Sequence, residues 1–158
     1  LREKHGGREL RAIECASDPL GLSILIYPEP RTGLEAKFSL QYCVAIAWLA
    51  GWPGLDAFSD ARATAADVQA LLRRVRVRST RSADEEVELI FSDGTRASES
   101  VRIARGHPRN PLSDAQREAK LLLCLEPVLG EHRSRALIET FASLESVRDV
   151  REIAGSLA

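Results

Sequence analysis

The sequence has no methionine, and it begins at Leu1 although translation starts with methionine. We therefore expect a fragment or an excised domain of a longer protein. Cysteines are also few: Cys15, Cys43 and Cys124 are widely separated, and none belongs to a C-x-x-C or Cys/His spacing. This pattern disfavours a zinc site and predicts reduced core cysteines in a cytosolic (cytoplasmic) protein.

Neither sign of charge is in marked excess. The 22 basic and 23 acidic residues leave a net charge of −1, which gives no general attraction to nucleic acid or to an anionic membrane. The apolar stretch at residues 42–50 is shorter than the ~20 residues that a membrane span needs. We therefore expect neither nucleic acid nor a membrane as a partner.

Familiar catalytic motifs are missing as well. The sequence has no G-x-S-x-G, no Walker loop, no H-E-x-x-H and no Gly-rich turn between a strand and a helix. The residues by themselves therefore assign no catalytic group, no metal and no cofactor.

The strongest local pattern lies in residues 30–51, PRTGLEAKFSLQYCVAIAWLAG, and it predicts one central helix. Thr32 with Glu35 fits a capping box at the start, and Gly51 with the Trp-Pro pair after it ends the helix. Residues 42–50 carry almost no polar group, so we expect this half to be covered nearly all round.

Alternation of apolar and polar residues predicts a small antiparallel sheet. Strands are expected at residues 9–16, where the alternation is imperfect, and at 73–78, 85–91 and 95–105. The arginine row of RRVRVR is expected to lie beside the acidic strand EEVELIF, which neutralises it through cross-strand pairs. A phosphate-binding or nucleic-acid-binding arginine strand is the alternative.

The strand pairing that each turn length would give selects the turn at SDG, between the last two strands. A three-residue turn with Gly94 in the left-handed conformation pairs Leu89 with Ala97 and Glu85 with Val101. This register keeps one face of the hairpin more apolar than a two-residue turn would.

The remaining segments favour helices and loops. Helices are expected at 19–26 (where 23–27 equally suits a strand), at 65–74 with a Thr64 cap after a loop at 55–63, at 114–129 behind a Ser113–Gln116 capping box, at 132–142 and at 144–156. The predicted fold class is α+β: a two-layer domain with a small antiparallel sheet packed on a central buried helix, plus a helical C-terminal tail. Residues 1–8 are expected to be a linker stub or frayed lead-in, and 9–158 a single domain.

Two places carry candidate binding residues. His107, Arg109 and Asn110 lie in a Pro-bounded loop, where an imidazole, a guanidinium and an amide can hold a carboxylate. Lys37, expected in the first turn of the central helix beside a free helix N-terminus, can attract an anion. The alternatives are an ordinary surface loop and a solvated lysine.

Several phrases occur together and in order: PRTGLEAKFSLQYCVAIAWLAG, FSDA, DVQALL, RVRV, FSDGT and GHPRNPLSDAQREAK. In this combination the chain, from about residue 9 to 153, resembles the C-terminal domain of the MmgE/PrpD (2-methylcitrate dehydratase) family. The E-A-K-F-S and G-x-P-x-N-P-L segments are fairly specific together, whereas either alone is weak.

The resemblance implies a metal-independent enzyme without a cofactor, one that moves protons or carboxylates on small polycarboxylic acids. Similar proteins include 2-methylcitrate dehydratases, cis-aconitate decarboxylases and iminodisuccinate epimerases. It also implies a homodimer and a larger all-helical N-terminal domain. The principal catalytic groups are expected in that domain or in a Lys/His-containing segment just before Leu1, and neither is expected within this chain. No catalytic residue is carried over, and Lys37 and residues 107–110 stay candidates for substrate contact.

Two hypotheses of different classes follow. The chain is the small domain of a cytosolic lyase, inactive by itself, or it is a non-catalytic stand-alone domain used for assembly or ligand binding. A helical domain encoded upstream of Leu1 would favour the enzyme, whereas a start codon directly upstream would favour the stand-alone domain.

Overall fold

The computed structural model describes residues 1–82 and 84–157. The chain divides into two units, Leu1–Ala104 and Arg105–Ala158. The first contains a four-stranded sheet with helices, and the second contains the C-terminal helices. The predicted α+β class is confirmed.

The sheet of the first unit has the strand order β2-β1-β3-β4, with β1 at Leu10–Ser17, β2 at Val75–Ser79, β3 at Glu85–Phe91 and β4 at Arg96–Val101. Strand β3 pairs antiparallel with β1 and with β4. Strand β2 instead pairs with β1 in parallel. The predicted antiparallel sheet is therefore present, with one parallel strand added at its edge.

The predicted hairpin register is confirmed. Gly94 has a φ of +84°, and the Phe91 N–H donates to the Thr95 carbonyl oxygen at 3.0 Å. Leu89 then lies opposite Ala97. The left-handed glycine fixes the loop length, and the loop length fixes which face of β4 joins the core.

The predicted neighbour of the arginine strand is wrong, because β1 lies between β2 and β3. The imperfect alternation of β1 fits its central position, since Ala12, Ile13, Cys15 and Ala16 are all buried between the neighbouring strands. No local pattern in β2 or β3 reveals that a third strand will insert between them.

The helices of the first unit are α1 (Arg2–His5), α2 (Pro19–Ile24), α3 (Gly33–Lys37), α4 (Leu40–Ala50), α5 (Asp60–Ala63) and α6 (Ala66–Leu72), with a 3₁₀ turn at Leu55–Phe58. The segment expected as a loop at 55–63 thus holds two helical turns. The predicted Thr64 cap of α6 is wrong. Thr64 lies at the end of α5 instead, and its hydroxyl donates to the Asp60 carbonyl oxygen at 3.0 Å.

The single central helix predicted in residues 30–51 is broken in two. Phe38 ends α3, and Ser39, in an extended conformation, begins α4 by accepting a hydrogen bond from the Tyr42 N–H at 3.1 Å. A serine that is the N-cap of one helix is extended, so the preceding helix cannot continue through it. The break therefore follows from Ser39.

The central role of α4 is confirmed, but its coverage is one-sided. Tyr42, Ala45 and Ile46 are buried in the core. Ala47 and Ala50 are exposed, so the expectation that residues 42–50 are covered nearly all round is wrong. Core partners of the buried side come from the sheet and from α6: Ile13, Leu89, Phe91, Val68, Leu71 and Leu72.

Residues 1–8, expected to fray, make specific contacts. Arg2 donates from Nε to the Trp48 carbonyl oxygen at 2.7 Å, at the end of α4. Arg8 lies 3.7 Å from the centroid of the Phe91 ring and pairs with Asp93 at 2.7 Å. The lead-in is thus attached to both the helix layer and the hairpin.

The helices of the second unit are α7 (Asp114–Leu129), α8 (Glu131–Ala142) and α9 (Val150–Leu157). The predicted capping box of Ser113 and Gln116 is present with both of its hydrogen bonds. The helix predicted at 144–156 is a 3₁₀ turn at Leu144–Ser146 followed by α9, because the Asp149 carboxylate accepts from the Arg151 N–H at 2.9 Å and starts a new helix.

Candidate functional site

Residues 106–111 of the second unit form a closed turn that holds the three predicted loop residues together. The Asn110 N–H donates to the His107 carbonyl oxygen at 2.7 Å, and the Gly106 N–H donates to the Asn110 carbonyl oxygen at 2.8 Å. The side chains of His107, Arg109 and Asn110 are all exposed. The cluster seen in the sequence is therefore also a cluster in space.

The same turn sets the tautomer of His107. The backbone N–H of Arg109 donates to its Nδ1 at 3.1 Å. A neutral imidazole has one acceptor and one donor nitrogen, so Nε2 carries the proton. The turn therefore presents an imidazole N–H, a guanidinium and an amide, all of which can donate hydrogen bonds to a carboxylate.

Lys37 belongs to the first unit, where it is the exposed last residue of α3. The prediction of a free helix N-terminus beside Lys37 is wrong, because the N-terminus of α3 is already capped. Thr32 Oγ1 accepts from the Glu35 N–H at 3.2 Å, and Asp60 Oδ1 accepts from the Gly33 N–H at 2.7 Å. Any attraction of an anion at this place rests on the ammonium of Lys37 itself.

Asp60 and Gly33 are residues whose importance the sequence did not reveal. The backbone of Gly33 lies so close to the chain at Phe58 that a Cβ on Gly33 would overlap the Phe58 carbonyl oxygen. Asp60 is 27 positions away from Gly33, so no local pattern predicts the pair. Together these contacts fix the start of α3, the helix that ends at Lys37 just before the break at Ser39.

Charged side chains on one face of the sheet form ion pairs with one another. Its ion pairs are Arg76–Glu14 at 3.7 Å, Arg78–Glu86 at 2.9 Å and Arg96–Glu88 at 2.7 Å. Arg78 reaches Glu86 across Ala16, with which both residues pair in the sheet. A concavity of about 480 Å³ on this surface has Arg78 as its basic residue, and that side chain already holds a carboxylate.

Buried ionisable groups of the first unit serve the core. Burial, followed by the charge of Glu85, raises the pKa of the Cys15 thiol to about 11. Burial also raises the pKa of Tyr42, whose hydroxyl donates to the Ala57 carbonyl oxygen. Both groups are therefore neutral near pH 7.

Of the cysteines expected in the core, Cys15 is buried and Cys43 half-buried, but Cys124 is exposed, which corrects that expectation. Within residues 1–82 and 84–157, no three His, Cys, Asp or Glu side chains are grouped to hold a metal ion. No helix in the same ranges is long and apolar enough to cross a membrane.

The sequence matches the model of a known protein family. The family model of the MmgE/PrpD C-terminal domain matches residues 1–146. The chain belongs to the MmgE/PrpD family. No curated protein matches the chain.

The matched family model is that of a C-terminal domain, which implies a partner domain on its N-terminal side. Lys37, His107, Arg109 and Asn110 all lie within the matched residues. Lys37 and the 106–111 turn belong to different units of this MmgE/PrpD domain.

Proposed function

We propose that residues 9–158 form the C-terminal domain of an MmgE/PrpD lyase that acts on small di- or tricarboxylates by metal-independent acid/base chemistry. The reaction is a dehydration of the 2-methylcitrate type or a decarboxylation of the cis-aconitate type. The observation that carries this proposal is the family match over residues 1–146. Positioned acids and bases are sufficient for both reactions, since each moves a proton next to a carboxylate.

The substrate-binding role falls to Lys37, His107, Arg109 and Asn110. An exposed turn that carries an imidazole N–H two residues before a guanidinium suits a ligand with several carboxylates. Hydrogen bonds between ionised partners are about twice as strong as neutral ones, and guanidinium matches a carboxylate in two-point contact. These residues bind and orient the substrate, while the proton-transferring groups belong to the N-terminal domain.

The isolated chain is inactive in this proposal. Cys15 and Tyr42, the buried ionisable groups of the first unit, are held neutral in the core. The parent protein is a cytoplasmic homodimer, in keeping with the family resemblance. Light scattering of the full-length protein tests the dimer, and a monomer would refute that part.

Turnover assays test the function. The full-length protein is incubated with 2-methylcitrate, cis-aconitate and iminodisuccinate, and products are followed by chromatography. We expect turnover of one of the first two acids by the full-length protein and no turnover by the 158-residue chain. Activity of the chain alone would refute the placement of the catalytic groups, and an inactive full-length protein would refute the lyase.

A single substitution tests the binding role of the turn. Arg109→Gln removes the guanidinium and should raise KM by roughly 10- to 100-fold, which corresponds to the ~1.5–3 kcal/mol of a hydrogen bond to a charged group. Arg81→Gln is the matched control, since Arg81 is also exposed but lies outside the turn. Equal KM values for the two variants would exclude Arg109 from substrate contact.

A further inference from the structure

Residues 107–110 form a β-turn whose type follows from its backbone. The Asn110 N–H donates to the His107 carbonyl oxygen at 2.7 Å, which closes the turn. Pro108 lies at the second position, where its fixed φ suits both type I and type II. Arg109 at the third position has a negative φ, whereas type II needs a positive one there. The turn is therefore type I.

The side chain of His107 is part of the same turn. Its Nδ1 accepts a hydrogen bond from the Arg109 N–H at 3.1 Å. This bond joins the first side chain of the turn to the N–H two residues later, which is the pattern of an Asx turn. The direction of the imidazole, and with it that of the Nε2–H, therefore depends on the backbone of the turn.

Gly106 joins the two ends of this turn. Its N–H donates to the Asn110 carbonyl oxygen at 2.8 Å, and His107 and Asn110 form an antiparallel bridge next to that bond. Gly106 has a φ of +92°. Glycine adopts such an angle readily, whereas a residue with a Cβ rarely does. The closed turn therefore depends on a backbone conformation that glycine permits.

Space around Gly106 is not what requires a glycine. A Cβ on Gly106 would lie 3.9 Å from Leu112 Cγ, an ordinary van der Waals distance. An alanine at this position would therefore act through the backbone angle and not through a collision.

We propose that Gly106 is a positioning residue for carboxylate binding: its left-handed backbone closes the turn and so holds His107 and Arg109 in the arrangement that binds substrate. This proposal rests on the substrate contact that the proposed function assigns to the turn. It adds a residue that acts without a side chain. A turn formed before the ligand arrives avoids the cost of ordering it on binding, and apparent affinity falls with the fraction of molecules in which the turn is open.

Hydrogen exchange in the 158-residue chain tests the hold of Gly106 on the turn. In Gly106→Ala the amides of Arg109 and Asn110 should exchange roughly 5-fold faster or more, because a strained backbone angle favours the open turn. Gly7→Ala is the matched control, since Gly7 has a φ of +89° and a Cβ there would meet nothing within 4 Å. It should leave exchange at both amides unchanged.

A second substitution separates backbone angle from side-chain size. Asparagine is larger than alanine, but it tolerates the left-handed region better. Gly106→Asn should therefore accelerate exchange at Arg109 and Asn110 less than Gly106→Ala does. The opposite order would show that side-chain size decides, and it would refute the role of the backbone angle.

Kinetics of the full-length protein test the effect on substrate. Gly106→Ala should raise KM roughly 5-fold or more, since the turn is then formed in a smaller fraction of molecules. The kcat should stay within about 2-fold, because a loss of binding alone raises KM without lowering kcat. Gly7→Ala should leave both constants unchanged, and an equal rise of KM in that variant would refute a specific role of Gly106.

The remaining outcomes separate this proposal from the proposed function. Unchanged exchange in Gly106→Ala would refute the hold of Gly106 on the turn. A raised KM in Arg109→Gln with an unchanged KM in Gly106→Ala would refute the positioning and retain the substrate contact. A full-length protein that converts none of the acids would refute the lyase and the substrate role of the turn, while hydrogen exchange would still support or refute the hold of Gly106.

Discussion

The two units of this domain are stabilised in different ways. In the first, side chains from the sheet, α4 and α6 join in one buried cluster. In the second, the buried side chains among the described residues are Ser134, Leu137 and Ile153, and α7 buries none. The first unit therefore has a core of its own, whereas the second has few buried side chains and starts its long helix α7 with the Ser113 capping box.

The largest difference is expected from two glycine substitutions. Gly33→Ala places a Cβ against the Phe58 carbonyl oxygen and should cost ~3 kcal/mol or more, since backbone must move. Gly155→Ala meets open space within α9 and should change stability by about 1 kcal/mol or less, in the stabilising direction. Urea unfolding followed by circular dichroism measures both, and similar midpoints would contradict the tight approach at Gly33.

The core itself gives the next contrast. Leu89 is 2% exposed, and Leu89→Ala should lower the free energy of unfolding by about 2–5 kcal/mol through lost burial and a cavity. Val128 in α7 is 80% exposed, and Val128→Ala in the 158-residue chain should stay within ~0.5 kcal/mol. A cost above 2 kcal/mol at Val128, on the scale of a core substitution, would show that the second unit is packed more like the first.

Two serine caps sharpen the comparison at smaller scale. Ser39→Ala should cost ~1–2 kcal/mol, because Ser39 is fully buried and the Tyr42 N–H loses its acceptor. Ser113→Ala removes an exposed cap and should cost ~0.5–1 kcal/mol. Hydrogen exchange at the Tyr42 and Gln116 amides reports each loss as an increase in rate over the unsubstituted chain. A larger increase at Gln116 than at Tyr42 would reverse the expected order.

The smallest effect is expected from exposed carboxylates at low pH. Hydrogen bonds from the hydroxyl and N–H of Thr95, and then from Arg8, lower the pKa of Asp93 to about 2. Arg151 lowers the pKa of Asp149 in the second unit. A depressed pKa contributes stability above the unfolded-state value of about 3.9, and this contribution is lost as pH falls towards the folded-state value.

NMR titration of the carboxyl carbons measures both groups. Asp93 should titrate near pH 2. In Asp93→Asn the dependence of stability on pH between about 4 and 2 should become shallower, whereas Asp149→Asn tests the same effect in the second unit. An ordinary pKa at Asp93 would remove Arg8 and Thr95 as its partners.

Local signals predicted local structure well in both units. Gly94 and the alternation around it gave the hairpin register, and Ser113 with Gln116 gave the start of α7. The break at Ser39 carried a signal too, since a serine at that position can cap a new helix, but the apolar periodicity through it favoured a continuous one. Periodicity reports which face is buried and does not report whether the backbone is unbroken.

Long-range features were not predictable from one sequence. The parallel pairing of β1 with β2 joins residues such as Ile13 and Val75, and no turn connects them directly. The same holds for the Asp60 contact at Gly33. In the candidate site, the three loop residues were predicted together because they lie close in sequence. The prediction for Lys37 placed it in the first turn of one long helix, whereas it is the last residue of α3.

The close approach of Gly33 to the chain at Phe58 has a consequence for how the family can diversify. The helix that bears Leu34 and Lys37 is positioned by main-chain atoms and one carboxylate, so its outward side chains do not hold it in place. Evolution can therefore exchange those outward residues for others without shifting the peptide framework. Substitutions of these outward side chains should therefore leave the main chain of α3 in place.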